Sequence, residues 1–236
     1  MWRDATAGMH QTFIDLLEEN RTHAAEFDSK FDHCQDSQQP EAVTICCSDS
    51  RVLQDHIWNN DQPGRLFTAG NIGNRVVQQE DGESVVSGDV LYPIAHTETK
   101  TAVVMGHTGC GAVTATYDAL TTPEGLNEPA GIDHCLDLLK PHIKPAVELL
   151  DDDLDRSAAI NRLVEYNVDR QVDFLMASDD IPENVNCVGV VYDFQDAYSG
   201  KRGEVHVINA NGETNVEALK TDHPEIERHI ERLWKY

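Results

Sequence analysis

Two short apolar segments, AVTICC and TAVVMG, restrict the fold of this chain more than any other feature of its sequence. They occupy residues 42–47 and 101–106, and each has the length and continuous apolar character of a buried parallel strand. The first segment ends in Cys47, while His107 and Cys110 follow the second. The sequence therefore predicts two strands of one sheet whose carboxyl ends both carry side chains able to bind a metal.

The rest of the chain alternates apolar segments with amphipathic ones. Further strands are predicted at residues 66–69, 185–192 and 204–208, the last forming an antiparallel edge hairpin with the strand before it. Helices are predicted at residues 9–31, 84–96, 112–120, 132–150, 155–177 and 217–234. This alternation indicates an α/β fold with a mainly parallel central sheet, an antiparallel edge strand, flanking helices and an N-terminal helical arm.

The same pattern sets the expected boundaries within the chain. We expect a single domain overall, since the length of 236 residues fits one substantial core. Residues 1–40 are predicted to form the helical arm, and residues 41–210 the α/β core that carries Cys47, His107 and Cys110. Residues 211–236 are predicted to form a C-terminal helix.

Cys47, His107 and Cys110 are candidate zinc ligands. Two thiolates and one imidazole match the donors that zinc prefers, and three protein ligands leave a fourth position open, as catalytic zinc requires. Asp49 could close that position or accept a hydrogen bond from zinc-bound water. Arg51 could pair with Asp49 through its planar guanidinium and draw the carboxylate away from the metal. A catalytic site and a closed, noncatalytic zinc site are therefore both open at this point.

The other cysteines are predicted to lie outside the metal site. Cys46 adjoins Cys47 in a strand, where successive side chains point to opposite faces, so we expect it in the core. Cys34, Cys135 and Cys187 have no His or Cys at ligand spacing nearby. Six cysteines without a regular framework in a chain of this length do not indicate disulfides.

Composition argues against two classes of partner. The chain has 42 Asp plus Glu against 18 Lys plus Arg, a formal net charge of -24, which opposes attraction to nucleic acid. No segment approaches the roughly 20 apolar residues of a membrane span, and MWRDATAGMHQ lacks the apolar part of a secretory signal. We therefore expect a cytoplasmic protein. Dense acidic charge with little Lys favours a salt-rich cytoplasm, because salt screens self-repulsion, and an ordinary acidic protein is the alternative.

The segments CSDSRV and GHTGCGAV together resemble the paired zinc signature of the beta-carbonic anhydrases. PGRLFTAGNIGNRV, at residues 63–76, and VGVVYD, at residues 188–193, resemble further segments of that family. The likeness extends over residues 42–208. The family also implies a homodimer or a dimer of dimers, in which helical N-terminal arms embrace the partner.

The resemblance implies reversible hydration of carbon dioxide to bicarbonate and a proton, by attack of zinc-bound hydroxide. Cys47, His107 and Cys110 would then hold Zn2+, with Asp49 and Arg51 as the catalytic dyad. Two other functions remain open. One is hydrolysis of carbon disulfide or carbonyl sulfide on the same scaffold, and the other is a noncatalytic zinc-binding module.

Overall fold

The structure, a computed structural model, describes residues 10–122 and 127–236. The chain forms two compact units, one of the described residues up to Gln38 with Gln62–Gly64, the other of Gln39–Asp61 and Arg65–Tyr236. In the first unit, helix α1 (Gln11–Phe27) continues into a 3-10 helix at Asp28–Phe31. The helix predicted at residues 9–31 is therefore present over most of its length, and residues 1–9 of the predicted arm lie outside the described residues.

The second unit consists of alternating strands and helices. Its strands are β1 (Ala42–Cys47), β2 (Leu66–Asn71), β3 (Val77–Glu80), β4 (Glu83–Val86), β5 (Thr101–His107), β6 (Asn186–Asp193) and β7 (Glu204–Ala210). Its helices are α2 (Gln54–Ile57), α3 (Gly88–His96), α4 (Gly111–Thr121), α5 (Ala130–Val147), α6 (Arg156–Met176) and α7 (Val216–Asp222). Among the helices in the described part of the chain, none has the length and apolar content that crossing a bilayer requires.

The central sheet has the strand order β2-β1-β5-β6-β7. Strands β2, β1, β5 and β6 run parallel to one another, and β7 pairs antiparallel with β6 at the edge, which confirms the predicted fold class. The chain passes from β1 to β2 on one side and later returns to place β5 on the other side of β1. Because ligand crevices of α/β sheets lie at the carboxyl ends of strands where connections diverge, this topology places a site at the ends of β1 and β5.

Helix α6 packs closely against the middle of the sheet because two strands present glycine to it. A Cβ atom at Gly106 of β5 would lie 2.8 Å from methyl groups of Val164 and Val168, and a Cβ at Gly189 of β6 would also lie 2.8 Å from Val168. Any larger residue would therefore push the helix away. The close approach places Asn161, near the start of α6, beside the chain that leaves β5.

Two local predictions were wrong. The helix predicted at residues 84–96 begins only at Gly88, because β3 and β4 form a small antiparallel hairpin. Its turn, Asp81-Gly82, has positive φ at both residues, as tight hairpin turns require.

The predicted C-terminal helix at residues 211–236 is the second correction. Helix α7 stops at Asp222, and a 3-10 helix follows at Pro224–His229. The residue before a proline disfavours helical backbone, and His223 has φ -130° and ψ 61°. Residues 230–236 therefore form a non-helical tail instead of continuing the helix to residue 234.

This tail is held by two buried carboxylates of α6, which lie one helical turn apart. Glu165 accepts hydrogen bonds from the backbone N of Leu233 at 2.8 Å and of Trp234 at 3.0 Å. Asp169 accepts from Arg232 Nη2 at 2.7 Å, and both partners of this ion pair are buried. Burial raises the pKa of Glu165 to about 7, against the opposing charge of Arg232. The tail is thus part of the core.

Candidate metal centre

The three candidate ligands meet where β1 and β5 end. Cys47 is the last residue of β1, His107 is the last residue of β5, and Cys110 directly precedes α4. One ligand atom from each lies within 4.8 Å of the others, and all three residues are buried. Gly109, with φ of 62°, turns the chain between His107 and Cys110, a conformation that glycine adopts without strain. The topology therefore brings together the residues that the sequence predicted.

The ring of His107 presents a free nitrogen to this position. Its Nδ1 lies 3.0 Å from the carbonyl oxygen of Thr108, which can only accept a hydrogen bond, so Nδ1 carries the proton. Its Nε2 is buried and has no hydrogen-bond partner among the residues that the structure describes. An unpaired buried nitrogen is destabilising by about 1–3 kcal/mol, whereas a bound metal would use its lone pair. A carbonyl partner on the other nitrogen is also the usual arrangement of a ligand histidine.

The thiols of Cys47 and Cys110 lie against each other. Cys110 Sγ donates a hydrogen bond to Cys47 Sγ at 3.9 Å. This hydrogen bond lowers the pKa of Cys47 to about 5, although burial opposes the shift. The same hydrogen bond, together with burial, raises the pKa of Cys110 well above its usual value. The pair therefore shares one proton and titrates as a unit, and a divalent cation in its place would balance two thiolates.

The remaining cysteines lie away from this centre. Cys46 packs on the opposite face of the sheet with Met105 and Val190, as predicted for a core residue. Burial raises the pKa of its thiol to about 12, the reverse of the change at Cys47. Among the described residues, Cys47, His107 and Cys110 form the one cluster of His, Cys, Asp or Glu that could hold a metal. Cys34, Cys135 and Cys187 lie outside it.

Asp49 and Arg51 form a bidentate ion pair beside the ligands. Arg51 donates from Nε to Oδ1 of Asp49 at 2.9 Å and from Nη2 to Oδ2 at 2.7 Å. These hydrogen bonds hold the pKa of Asp49 well below its usual range, so the carboxylate stays ionised. Its Oδ2 also lies 3.7 Å from Nε2 of His107. The carboxylate therefore borders the candidate metal position, and both of its oxygens accept hydrogen bonds from Arg51.

The sequence did not reveal the residues that surround this pair. Asn161 accepts a hydrogen bond from the backbone N of Gly109 at 2.8 Å, and the carbonyl oxygen of Gly109 accepts one from Arg51 at 3.3 Å. The ring of Phe194, just after β6, stacks on His107 with ring centroids 5.6 Å apart. No spacing in the sequence links these positions. One feature of the sequence pointed to Phe194, which closely follows the strand predicted at residues 185–192. In the structure, the end of that strand lies beside the end of β5.

Several known proteins resemble this chain in sequence or fold. The family model described as carbonic anhydrase matches residues 42–201. A carbonic anhydrase of Emericella nidulans is 36% identical over 171 residues, which cover 69% of this chain and 68% of that protein. One of Helicobacter pylori is 31% identical over 104 residues, 43% of this chain, and the match spans about half of that relative, 47%. The structure of a tetrameric beta-carbonic anhydrase from Sordaria macrospora has a TM-score of 0.70 at 24% identity, covering 85% of this chain and 98% of that one.

The fold and the donor set together define a class of protein, an α/β metalloprotein with a three-ligand zinc site at the switch point of a mainly parallel sheet. The family match covers more than half of the chain and includes all five residues of the site. This chain belongs to the carbonic anhydrase family, and its fold is that of the beta class.

Proposed function

We propose that this chain is a zinc-dependent enzyme that reversibly hydrates carbon dioxide to bicarbonate and a proton. The observation that carries the proposal is the convergence of Cys47, His107 and Cys110 beside an ionised Asp49 that Arg51 holds. Membership of the carbonic anhydrase family supports the same reaction. Zinc, when bound, supplies Lewis-acid activation of water near neutral pH.

The residues of the site have distinct roles in this proposal. Cys47, His107 and Cys110 hold the zinc, and the hydrogen bond from Nδ1 of His107 fixes the orientation of its ring. Asp49 orients the reacting water by accepting a hydrogen bond from it. Arg51 keeps the Asp49 carboxylate in place through two hydrogen bonds and does not itself exchange a proton.

The two alternatives are less well supported. A noncatalytic zinc module would need Asp49 to close the metal position, but both of its carboxylate oxygens accept hydrogen bonds from Arg51. A carbon disulfide or carbonyl sulfide hydrolase would use the same ligands, but the relatives are named for carbonic anhydrase. Assaying these two substrates beside carbon dioxide separates the enzymes directly.

Stopped-flow hydration of carbon dioxide tests the proposed activity. We expect the natural chain to hydrate carbon dioxide, to lose this activity when a chelator removes zinc, and to regain it when zinc is restored. Because two thiolates offset the charge of the metal, we expect the rate to rise as the pH passes above neutrality. Zinc binding without hydration at any pH between about 6 and 9 would instead favour the noncatalytic module.

The proposed assembly is a homodimer or a dimer of dimers. Helix α1 contains no buried residue and exposes four large apolar side chains, Phe13, Ile14, Leu16 and Leu17. A contiguous apolar surface of this kind is typical of an interaction site, and the S. macrospora proteins are described as tetrameric. In this proposal, residues 1–40 act as a helical arm that embraces the partner. Residues 41–210 form the catalytic core, and residues 211–236 close the chain against it.

The proposed surroundings are a salt-rich cytoplasm. A formal net charge of -24 makes the compact state repel itself, and salt screens this repulsion. Raising potassium chloride from about 0.1 M to about 1 M shortens the Debye length from about 10 Å to about 3 Å. We expect the melting temperature to rise over this range, by about 2–4 °C for each kcal/mol of repulsion removed. Scanning calorimetry and hydration assays check this, and equal stability and activity without added salt would contradict it.

A further inference from the structure

The guanidinium of Arg51 has a third contact, besides Asp49 and Gly109, with the ring of Phe194. Arg51 Cζ lies 4.6 Å from the ring centroid, within the range of a cation–π interaction. The side chain of Arg51 is 50% exposed. Because a half-exposed arginine keeps several rotamers unless its contacts limit them, the ring favours the rotamer that meets Asp49.

The ring of Phe194 is itself held in place. It stacks on His107 with an interplanar angle of 23° and packs against Tyr192 with centroids 5.8 Å apart. The backbone N of Phe194 donates to Oγ1 of Thr108 at 3.2 Å. Since Thr108 directly follows His107, this hydrogen bond fixes Phe194 beside the turn that carries the candidate ligand His107.

The loop that carries Phe194 is organised by the buried carboxylate of Asp193. This carboxylate accepts from Oγ1 of Thr108 at 3.1 Å and from three backbone N–H groups of the following loop at 2.9–3.0 Å. Four hydrogen bonds to one buried carboxylate leave the adjoining residue little freedom. The ring of Phe194 therefore forms a fixed surface against which Arg51 rests.

We infer that Phe194 is a positioning residue: its ring holds the guanidinium of Arg51, and through it keeps the carboxylate of Asp49 turned away from the metal position. Its effect on hydration rests on the proposed function, whereas its effect on Asp49 does not. Loss of the ring frees Arg51 and allows Asp49 to compete with other anions for the open position on the metal.

Two substitutions distinguish the effect of the aromatic face of Phe194 from that of its apolar bulk. Phe194→Leu removes the aromatic face, and Phe194→Tyr keeps it. In cobalt-substituted protein, thiocyanate competes with the carboxylate for the metal, and its affinity is read from the visible spectrum. We expect Phe194→Leu to weaken thiocyanate binding about two- to fivefold, the equivalent of about 0.5–1 kcal/mol, and Phe194→Tyr to leave it unchanged. Tyr117→Leu is the matched control, because it removes a cation–π contact with Arg156 outside this site.

A double-mutant cycle identifies the route of the effect. If the ring acts through Arg51, Phe194→Leu has no further effect in the Arg51→Ala background. An unchanged affinity in Phe194→Leu, or the same loss in both backgrounds, would overturn the inference. Phe194→Met replaces the leucine variant if that variant does not fold. The cobalt measurement needs no turnover. If the chain binds cobalt but does not hydrate carbon dioxide, the proposed function is refuted, and the thiocyanate affinities still test the role of Phe194.

Discussion

Replacing Cys47 with Ser is expected to remove bound zinc and carbon dioxide hydration together. A serine hydroxyl stays protonated near neutral pH, whereas the Cys47 thiol has a pKa lowered to about 5 by its hydrogen bond with Cys110. Loss of an outer partner of a ligand alone costs about 10- to 100-fold in metal affinity, so loss of a ligand should weaken zinc binding by more than about 100-fold. The hydration rate should then fall to that of the metal-free protein.

The matched control is the neighbouring cysteine. Cys46 is fully buried, but it packs on the opposite face of the sheet with Met105 and Val190. Cys46→Ser should therefore retain zinc and hydration while losing some stability, because it buries a hydroxyl among apolar side chains. Zinc content and stopped-flow rates of the two variants are compared at the same pH. Retention of zinc and full activity by Cys47→Ser would refute the ligand assignment.

Replacing Arg232 with Met should destabilise the folded protein by about 3–5 kcal/mol, the usual effect of removing one partner of a buried ion pair. Arg232 donates to Oδ2 of Asp169 at 2.7 Å and to the carbonyl oxygen of Ile208 at 2.8 Å. Asp169 is completely buried, so its charge would lose this partner without gaining water. The tail would also lose one of its contacts with β7, because Ile208 belongs to that strand.

Equilibrium unfolding in guanidinium chloride, at one protein concentration and one zinc content, measures this change. The matched control is Arg202→Met, since Arg202 pairs with Asp196 at 2.9 Å with side chains that are 69% and 57% exposed. Exposed pairs contribute at most about 1 kcal/mol, so this variant should unfold almost as the natural chain does. Similar unfolding of the two variants would show that the tail is not part of the cooperative core.

The sequence predicted the candidate ligands because their placement depends on local pattern. Cys47 and His107 each stand at the end of an apolar run, and parallel strands bring their carboxyl ends to one edge of a sheet. Strand β1 begins and ends where it was predicted, and β5 is longer by one residue, His107 itself. A short apolar run between two turns has few alternative ways to bury its side chains. It can therefore be recognised as a strand without knowledge of the strands beside it.

The two wrong predictions, the start of the helix at residue 84 and the closing helix, have a common cause. Residues 84–86 of β4 lie within the helix predicted at residues 84–96, although they pair with β3 in a hairpin. The residues beyond Pro224 keep a helical spacing of apolar side chains, which favours a helix up to residue 234. In both cases a local signal opposes the helix, because the Asp81-Gly82 turn precedes residue 84 and Pro224 stops α7 at Asp222. The hydrogen bonds that hold the tail to Glu165 and Asp169 join residues far apart in sequence, which no local pattern reveals.

By itself the sequence determined the donor chemistry, the five strands of the central sheet, and the edge of that sheet where Cys47, His107 and Cys110 meet. Only the tertiary structure decided that Nε2 of His107 faces the metal position, and that the ring of Phe194 rests on Arg51. Residue type determines the donor atoms, and the periodicity of apolar residues over a few neighbours determines where a strand ends. Ring orientation and contacts between loops depend on how β6 lies beside β5 and how the following loop is hydrogen-bonded, which no periodicity encodes.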